Sequence, residues 1–189
     1  MDPELVYPIE ADTILLCEAA AAEVRANDRV LEVGSGSGFI AFRLLRKASL
    51  VIATDCNPYA ARMTHKKGVD VICTDFAAAL RGPFDLILFN PPYLPTAPEE
   101  RIDDPLELAL DGGTDGRSVI ARFAATVGDV LAPQGRILLL VSSLTGPQEV
   151  IDLFRKEGYA SSIARRIRVF GEDLFVVRIV RIPGDTPTR

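Results

Sequence analysis

A chain of 189 residues, 48% hydrophobic and with ordinary glycine and proline content, is long enough to bury one substantial core and too short for two comfortable domains. Its formal net charge of −5 argues against a protein that follows phosphate backbones by bulk electrostatics. The acidic, proline-broken start "MDPELVYPIEAD" is no signal peptide, no apolar run approaches the length of a bilayer span, and the isolated Cys17, Cys56 and Cys73 signal neither a zinc site nor a disulfide framework. The cysteines read as reduced core thiols of a cytoplasmic protein.

In chain order the pattern predicts a helix over 12–25, then a strand "RVLEV" at 29–33. A glycine turn leads into a helix over 38–47, followed by a strand "LVIATD" at 50–55 and a helix over 58–67. Next come a strand "VDVICTD" at 69–75 and a strand "FDLILFN" at 84–90. The irregular stretch 91–115 precedes a helix over 116–131, a strand at 135–143 and a helix over 147–158. Each of these Val-, Ile- and Leu-rich strands reads as buried on both faces, and their alternation with helices means a mostly parallel α/β sheet covered on both sides. The segments 161–170 and 173–182 face each other across Gly171-Glu172, an antiparallel hairpin that closes the sheet. The chain reads as one domain over 1–189, with 1–28 a leading segment and helix and 183–189 a frayed tail.

The turn after the first strand, "LEVGSGSGFIAF", carries Gly34, Gly36 and Gly38. Gly34 and Gly36 let the main chain lie against a ligand, and Gly38 lets the next helix start close to the sheet. Phe39 stands where the dinucleotide fingerprint wants its last glycine, and Glu32 beside the turn repels a phosphate but suits a cation. Asp55 and Asp75 end the next two strands, so Glu32, Asp55 and Asp75 line one crevice. Asp55 is placed to accept the hydroxyls of a ribose; Asp75 with Phe76 suits the amine and ring of an adenine. A ligand with a ribose, an adenine and a positive charge but no phosphate describes S-adenosylmethionine.

The strand at 84–90 ends in Asn90-Pro91-Pro92-Tyr93. Neither proline has an N–H, so the ladder stops at Asn90 and the turn is stiff. The Asn90 side-chain oxygen and the Pro91 carbonyl are then free to accept the two N–H groups of a planar NH2, and Tyr93 is placed to pack on its flat face. "DGGTDGR" lacks the lysine and hydroxyl of a phosphate loop and reads first as a tight turn with an N-cap for the next helix. His65 reads as a solvated residue near a helix end. "ARRIRVF" reads as a strand with one wet face, with contact to RNA or an acidic protein as the alternative.

Taken together, "LEVGSGSG", the strand-end acids and "NPPY" resemble a class I methyltransferase. "FNPPYLPT" followed by "ALDGGTDGRSVIARF" (109–123) is similar to the HemK-like release-factor glutamine methyltransferases, in the short archaeal and eukaryotic form. The resemblance implies a Rossmann-like seven-stranded fold and cofactor contacts at Thr13, Glu32, Gly34, Gly36, Asp55, Asp75, Phe76 and Asn90. It implies transfer from S-adenosylmethionine at Asn90, Pro91, Pro92 and Tyr93 to the glutamine of a release-factor Gly-Gly-Gln motif. It also implies a pocket wall at "DGGTDGR" with Arg117 at the rim, and a small zinc-binding activator subunit paired with the sheet edge near 69–75. The motif alone serves any planar amine, so N-methylation of DNA or RNA bases stays open as an alternative, as does a non-catalytic cofactor-binding scaffold, which the intact motif opposes.

Overall fold

The structure, a computed structural model, describes residues 6–93 and 112–183. Most of the irregular stretch 91–115 and the tail from 184 on therefore lie outside the described residues. In chain order the elements are α1 (Ala11–Glu23), β1 (Arg29–Val33), α2 (Phe39–Leu44), β2 (Leu50–Asp55), α3 (Pro58–Lys66), β3 (Asp70–Cys73) and β4 (Phe84–Phe89). They continue with α4 (Ser118–Thr126), a 3₁₀ turn at Val127–Asp129, β5 (Leu131–Ser142), α5 (Pro147–Lys156), β6 (Tyr159–Val169) and β7 (Glu172–Arg181).

One seven-stranded sheet runs in the order β3-β2-β1-β4-β5-β7-β6. The pairs β1–β2, β1–β4, β2–β3 and β4–β5 are parallel, and β7 lies antiparallel between β5 and β6. The expected α/β sheet with a closing hairpin is therefore present. Alternate residues of the central strands feed opposite cores, because successive side chains of a strand point to opposite faces. Leu31, Ile87, Phe89, Phe123 and Phe154 pack on one side of the sheet; Val30, Leu86 and Leu88 meet Leu15, Leu16 and Leu44 of the helices on the other. Local chemistry starts α3, where Asn57 Oδ1 accepts the Tyr59 N–H at 2.9 Å and Pro58 opens the first turn.

Several expectations need correction. β3 is not buried on both faces: as an outer strand with one neighbour it leaves Ile72 37% exposed. β6, the opposite edge, is wet on more than one face, and Ile163 is 52% exposed beside a bulge between Ile163 and Arg165. Only Cys17 is a core thiol; Cys73, at the end of the outer strand β3, and Cys56, in the loop after β2, are exposed. The helix expected over 116–131 is shorter, and its N-cap residue Arg117 makes no side-chain cap; Asp115 accepts the Arg117 N–H at 3.0 Å instead. Among the described residues no helix is long and apolar enough to cross a membrane.

The last turn of α1 is tied to the sheet by a buried cation. Arg136 of β5, 2% exposed, donates to the carbonyls of Asp85 at 2.9 Å and Glu23 at 2.5 Å, and to Asp28 Oδ2 at 2.7 Å. Burial pushes the Asp28 carboxyl up, but its hydrogen bonds to Arg136 and to the Arg25 N–H, together with the positive charges of both arginines, outweigh this and leave it below its ordinary value. Removing one partner of a buried pair strands the other's charge in a low dielectric. Arg136→Ala is expected to cost about 3–5 kcal/mol of unfolding free energy, measured by urea denaturation.

Candidate functional site

A cleft of about 540 Å³ opens outside the carboxyl ends of β1, β2 and β4, where the strand order reverses between β1 and β4 and open α/β sheets bind their ligands. It falls within the roughly 300–1,000 Å³ usual for small-molecule sites. Thr13, Glu32, Gly34, Gly36, Asp55, Asp75, Phe76, Asn90, Pro91, Pro92 and Tyr93 all line it. The structure thus gathers these eleven residues in one place, whereas Arg117 and the described part of the expected "DGGTDGR" wall do not line the cleft.

The glycine turn is shaped by backbone angle, and close approach adds a constraint at Gly38, where at φ +72° a Cβ would lie 2.7 Å from Thr64 Oγ1. Gly34, at φ +66°, would bring a Cβ to 3.5 Å from the Phe89 ring. At Gly36, φ +50°, a Cβ would meet nothing within 4 Å, so the space above it is open to a ligand. The acids near this turn are buried. Glu32, 4% exposed, accepts the Ala41 N–H through Oε2 at 2.8 Å. Burial, reinforced by the negative charge of Asp55 and opposed by that hydrogen bond, pushes its carboxyl up to about 8. Asp55 accepts the Gly36 N–H at 2.8 Å through Oδ2 and the Asn57 N–H at 2.8 Å through Oδ1. It braces the turn as well as facing the cleft, and burial raises its pKa despite those bonds.

The third acid has a partner that the sequence did not reveal. Asp75 Oδ2 accepts from Arg122 of α4 at 2.5 Å, and the same guanidinium lies 5.1 Å from the centre of the Phe76 ring. Phe76 sits at φ +43°, an uncommon backbone for a bulky residue, held by edge contacts with Phe89 and Phe123. Arg122, rather than the expected Arg117, is the cation on the cleft wall. Arg117 turns away, donating to the Thr145 carbonyl at 2.7 Å and pairing with Asp115 at 2.9 Å.

At the end of β4, Asn90 Nδ2 donates to Asp12 Oδ2 at 3.1 Å. Asp12, in the first turn of α1 and 2% exposed, also accepts the Tyr7 hydroxyl at 2.9 Å, the Thr13 N–H at 2.5 Å and the Thr13 hydroxyl at 3.2 Å. A carboxylate only accepts, so it fixes which end of the Asn90 amide it holds. The other end, Asn90 Oδ1, is buried without a hydrogen-bond partner. Tyr93 shares a hydrogen bond with Tyr7, and burial with the nearby Asp12 charge raises the pKa of both phenols, so they stay protonated. Asp12 and Tyr7 were missed by sequence reasoning; the one local hint was an acid placed just before an apolar helical run.

The site accepts a cation beside Glu32, flat rings beside Phe76 and an N–H donor at Asn90. The chain matches the family model "Methyltransferase small domain" over residues 9–102. It is 36% identical to a Methanocaldococcus jannaschii protein provisionally named a protein N5-glutamine methyltransferase, over 96% of this chain and 94% of that one. It is 34% identical to the Homo sapiens methyltransferase HEMK2, over 93% and 90%. Among solved structures it is similar to a chain of the E. cuniculi Mtq2–Trm112 complex, whose stated role is methylation of the translation termination factor eRF1. That match has a TM-score of 0.79 and 27% identity, and covers 94% of this chain and 99% of that one.

The buried acids generate a pH prediction. An ordinary glutamate titrates at 4.5 and folded Glu32 at about 8, so between these values the folded chain holds a proton that the unfolded chain releases. Stability without ligand therefore falls as pH rises from about 4.5 to about 8, by up to roughly 1.4 kcal/mol per pH unit for one group. Urea midpoints measured across this range are expected to decline for the native sequence and to decline less for Glu32→Gln.

Proposed function

The chain belongs to the HemK-like family of release-factor glutamine methyltransferases, and with that as premise we propose that it methylates the side-chain nitrogen of the Gly-Gly-Gln glutamine in a class I peptide-chain release factor, in the cytoplasm. The methyl donor in this reading is S-adenosylmethionine, and the whole chain acts as one methyltransferase domain. The observation that carries the reading is the buried Asn90 Oδ1, which among the described residues has no hydrogen-bond partner while Asp12 occupies the amide nitrogen, on a side chain that lines the cleft.

The cofactor supplies an electrophilic methyl on a sulfonium. Its holders fit the donor set of the cleft: Glu32 for positive charge, open backbone at Gly34 and Gly36, Asp55 for hydroxyls, Asp75 and Phe76 for the adenine, and Thr13 and Asn90 at the substrate end. An uncharged Glu32 converts to a carboxylate when a cation arrives beside it, which favours a positively charged ligand over a neutral one.

An amide nitrogen is a poor nucleophile because its lone pair is delocalised into the carbonyl. Asn90 Oδ1 accepts one of its N–H groups and the Pro91 carbonyl the other, so the nitrogen is aimed rather than deprotonated. As the new N–C bond forms, positive charge develops on the nitrogen, and the same two oxygens stabilise it. Rigid acceptors need no rearrangement at that moment. Pro91 and Pro92 stiffen the turn, and Tyr93 closes the flat face of the amide. The resulting N-alkylated amide is a very strong acid, so its extra proton passes to water without a dedicated base. These acceptors fit any planar NH2; the relatives' named activity supplies the choice of glutamine over a nucleobase.

A small activator subunit is part of the reading, since the E. cuniculi relative was solved with Trm112. The edge strand β3, within 69–75, leaves one side of its backbone ladder unpaired and Ile72 37% exposed.

Asn90→Ala is expected to abolish transfer with cofactor affinity nearly intact, while Asp55→Ala weakens cofactor binding itself; calorimetry separates the two. Asp12→Asn frees the Asn90 amide to turn over and lowers kcat on the order of 10²-fold. Incubation with the cofactor and, separately, a release factor, DNA and RNA, followed by mass spectrometry, locates the methyl group. Methyl on adenine and none on glutamine would overturn the reading.

A further inference from the structure

We propose that the tip of the β6–β7 hairpin and the adjoining β5–α5 loop form a docking platform for the substrate protein, seating a segment of mixed apolar and acidic character outside the methylated glutamine. The proposal rests on the reading of the chain as a protein methyltransferase.

The amide-holding end of the cleft offers acceptors for one NH2 and a ring to cover it. Such a site recognises a carboxamide and carries nothing that distinguishes one protein from another, so discrimination falls to surface beyond it. The hairpin tip is that neighbouring surface. β7 begins where β5 ends, with Leu174 opposite Ser142, which places the tip on the same carboxyl edge of the sheet as the cleft. The connection is bonded throughout: Glu172 hydrogen-bonds the Ser142 hydroxyl, Asp173 and Ser143 exchange bonds of 2.8 and 3.0 Å, and Thr145 donates to the Tyr93 carbonyl at 3.4 Å.

The chemistry of the platform is specific. Phe170 is fully exposed, at 107% of its reference area, and Leu144 on the neighbouring loop is 54% exposed. Arg166 and Arg168 share Asp173 at 3.1 and 2.8 Å, and with Arg165 and Glu172 also counted the β6–β7 tip holds one positive charge in excess on a chain of net charge −5. Arginines and a bulge on an edge strand are the usual protection against unwanted strand pairing, and that role accounts for Arg165, Arg166 and Arg168. It does not account for Phe170, which occupies a two-residue turn that any small polar residue serves equally well. Aromatic and arginine side chains side by side at the rim of a site are the composition of a protein-binding hot spot, and an acidic segment complements the excess charge. β6 is at the opposite edge of the sheet from β3, so a subunit paired with β3 leaves the platform open.

The test compares methylation of an intact release factor with that of a short peptide carrying its Gly-Gly-Gln loop, using the full chain with its activator subunit. Phe170→Ser and, separately, Arg168→Gln are expected to raise KM for the intact factor roughly tenfold with kcat kept, while kcat/KM for the peptide, the cofactor Kd and the melting temperature stay within twofold of the native sequence. Equal KM values for the intact factor would overturn the platform. So would a native dimer that Phe170→Ser dissolves without a change in KM, or single-stranded RNA binding lost in the same variants while methylation is untouched. Failure of the native sequence to methylate either substrate would instead overturn the functional reading, and the platform with it.

Discussion

The Asp12 carboxylate holds one end of the Asn90 amide and leaves the other end, among the described residues, without a hydrogen-bond partner. Everything upstream of that contact serves to bring α1 against the end of β4. Arg136 ties the last turn of α1 and the following Asp28 to β4 and β5; Leu15 and Leu16 bury the middle of the helix; Asp12 then arrives at the substrate end of the cleft. The helix is a strut between a buried ion pair at one end and the Asp12–Asn90 hydrogen bond at the other. Four donors meet the Asp12 oxygens, which satisfies a carboxylate that is otherwise costly to bury.

The cofactor side follows the opposite logic. Glu32 and Asp55 are buried beside a glycine turn with few compensating bonds, and the burial raises both pKa values. A site for phosphate would place N–H groups and a cation there; two carboxyls exclude it. The desolvation cost of these acids is recovered when a cation arrives, so the same feature that weakens the empty protein at neutral pH gives selectivity for a positively charged ligand. Asp55 has a second task, because its bonds to Gly36 and Asn57 lock the glycine turn to the loop after β2.

Much of this was legible in the sequence because it is local. The limits of β1 and β2, the glycine turn and the stop at Asn90 follow from strand runs and from proline's missing N–H. What escaped is non-local. Asn90 and Asp12 are 78 positions apart and Arg122 and Asp75 are 47 apart, and no periodicity links such pairs. The resemblance drew attention to Arg117 because it stands in the recognised motif, yet the turn of α4 carries Arg122 to the cleft wall and Arg117 to the Thr145 carbonyl. The exposure of β3, β6 and Cys73 was misjudged for one shared reason: an apolar run reports that a strand is compatible with burial, and only its place in the sheet decides whether neighbours cover it.

The two edges of the sheet manage exposure in different ways. β6 carries Arg165, Arg166 and Arg168 with a bulge between Ile163 and Arg165, features that obstruct continuous pairing with another strand. β3, reading Asp70-Val71-Ile72-Cys73, has no bulge and no cation, and its outer backbone groups stay available for a ladder. An added chain is therefore favoured at β3 through main-chain hydrogen bonds and at β6 only through side chains. Strand addition at β3 removes apolar surface and an open edge from water, the contribution expected of a permanent subunit. Side-chain contact at the β6–β7 tip leaves the ladder untouched and releases readily, as turnover of a protein substrate demands. Under the proposed reading, a single sheet separates the stable partner from the transient one by the chemistry of its two edges, with the cleft between them.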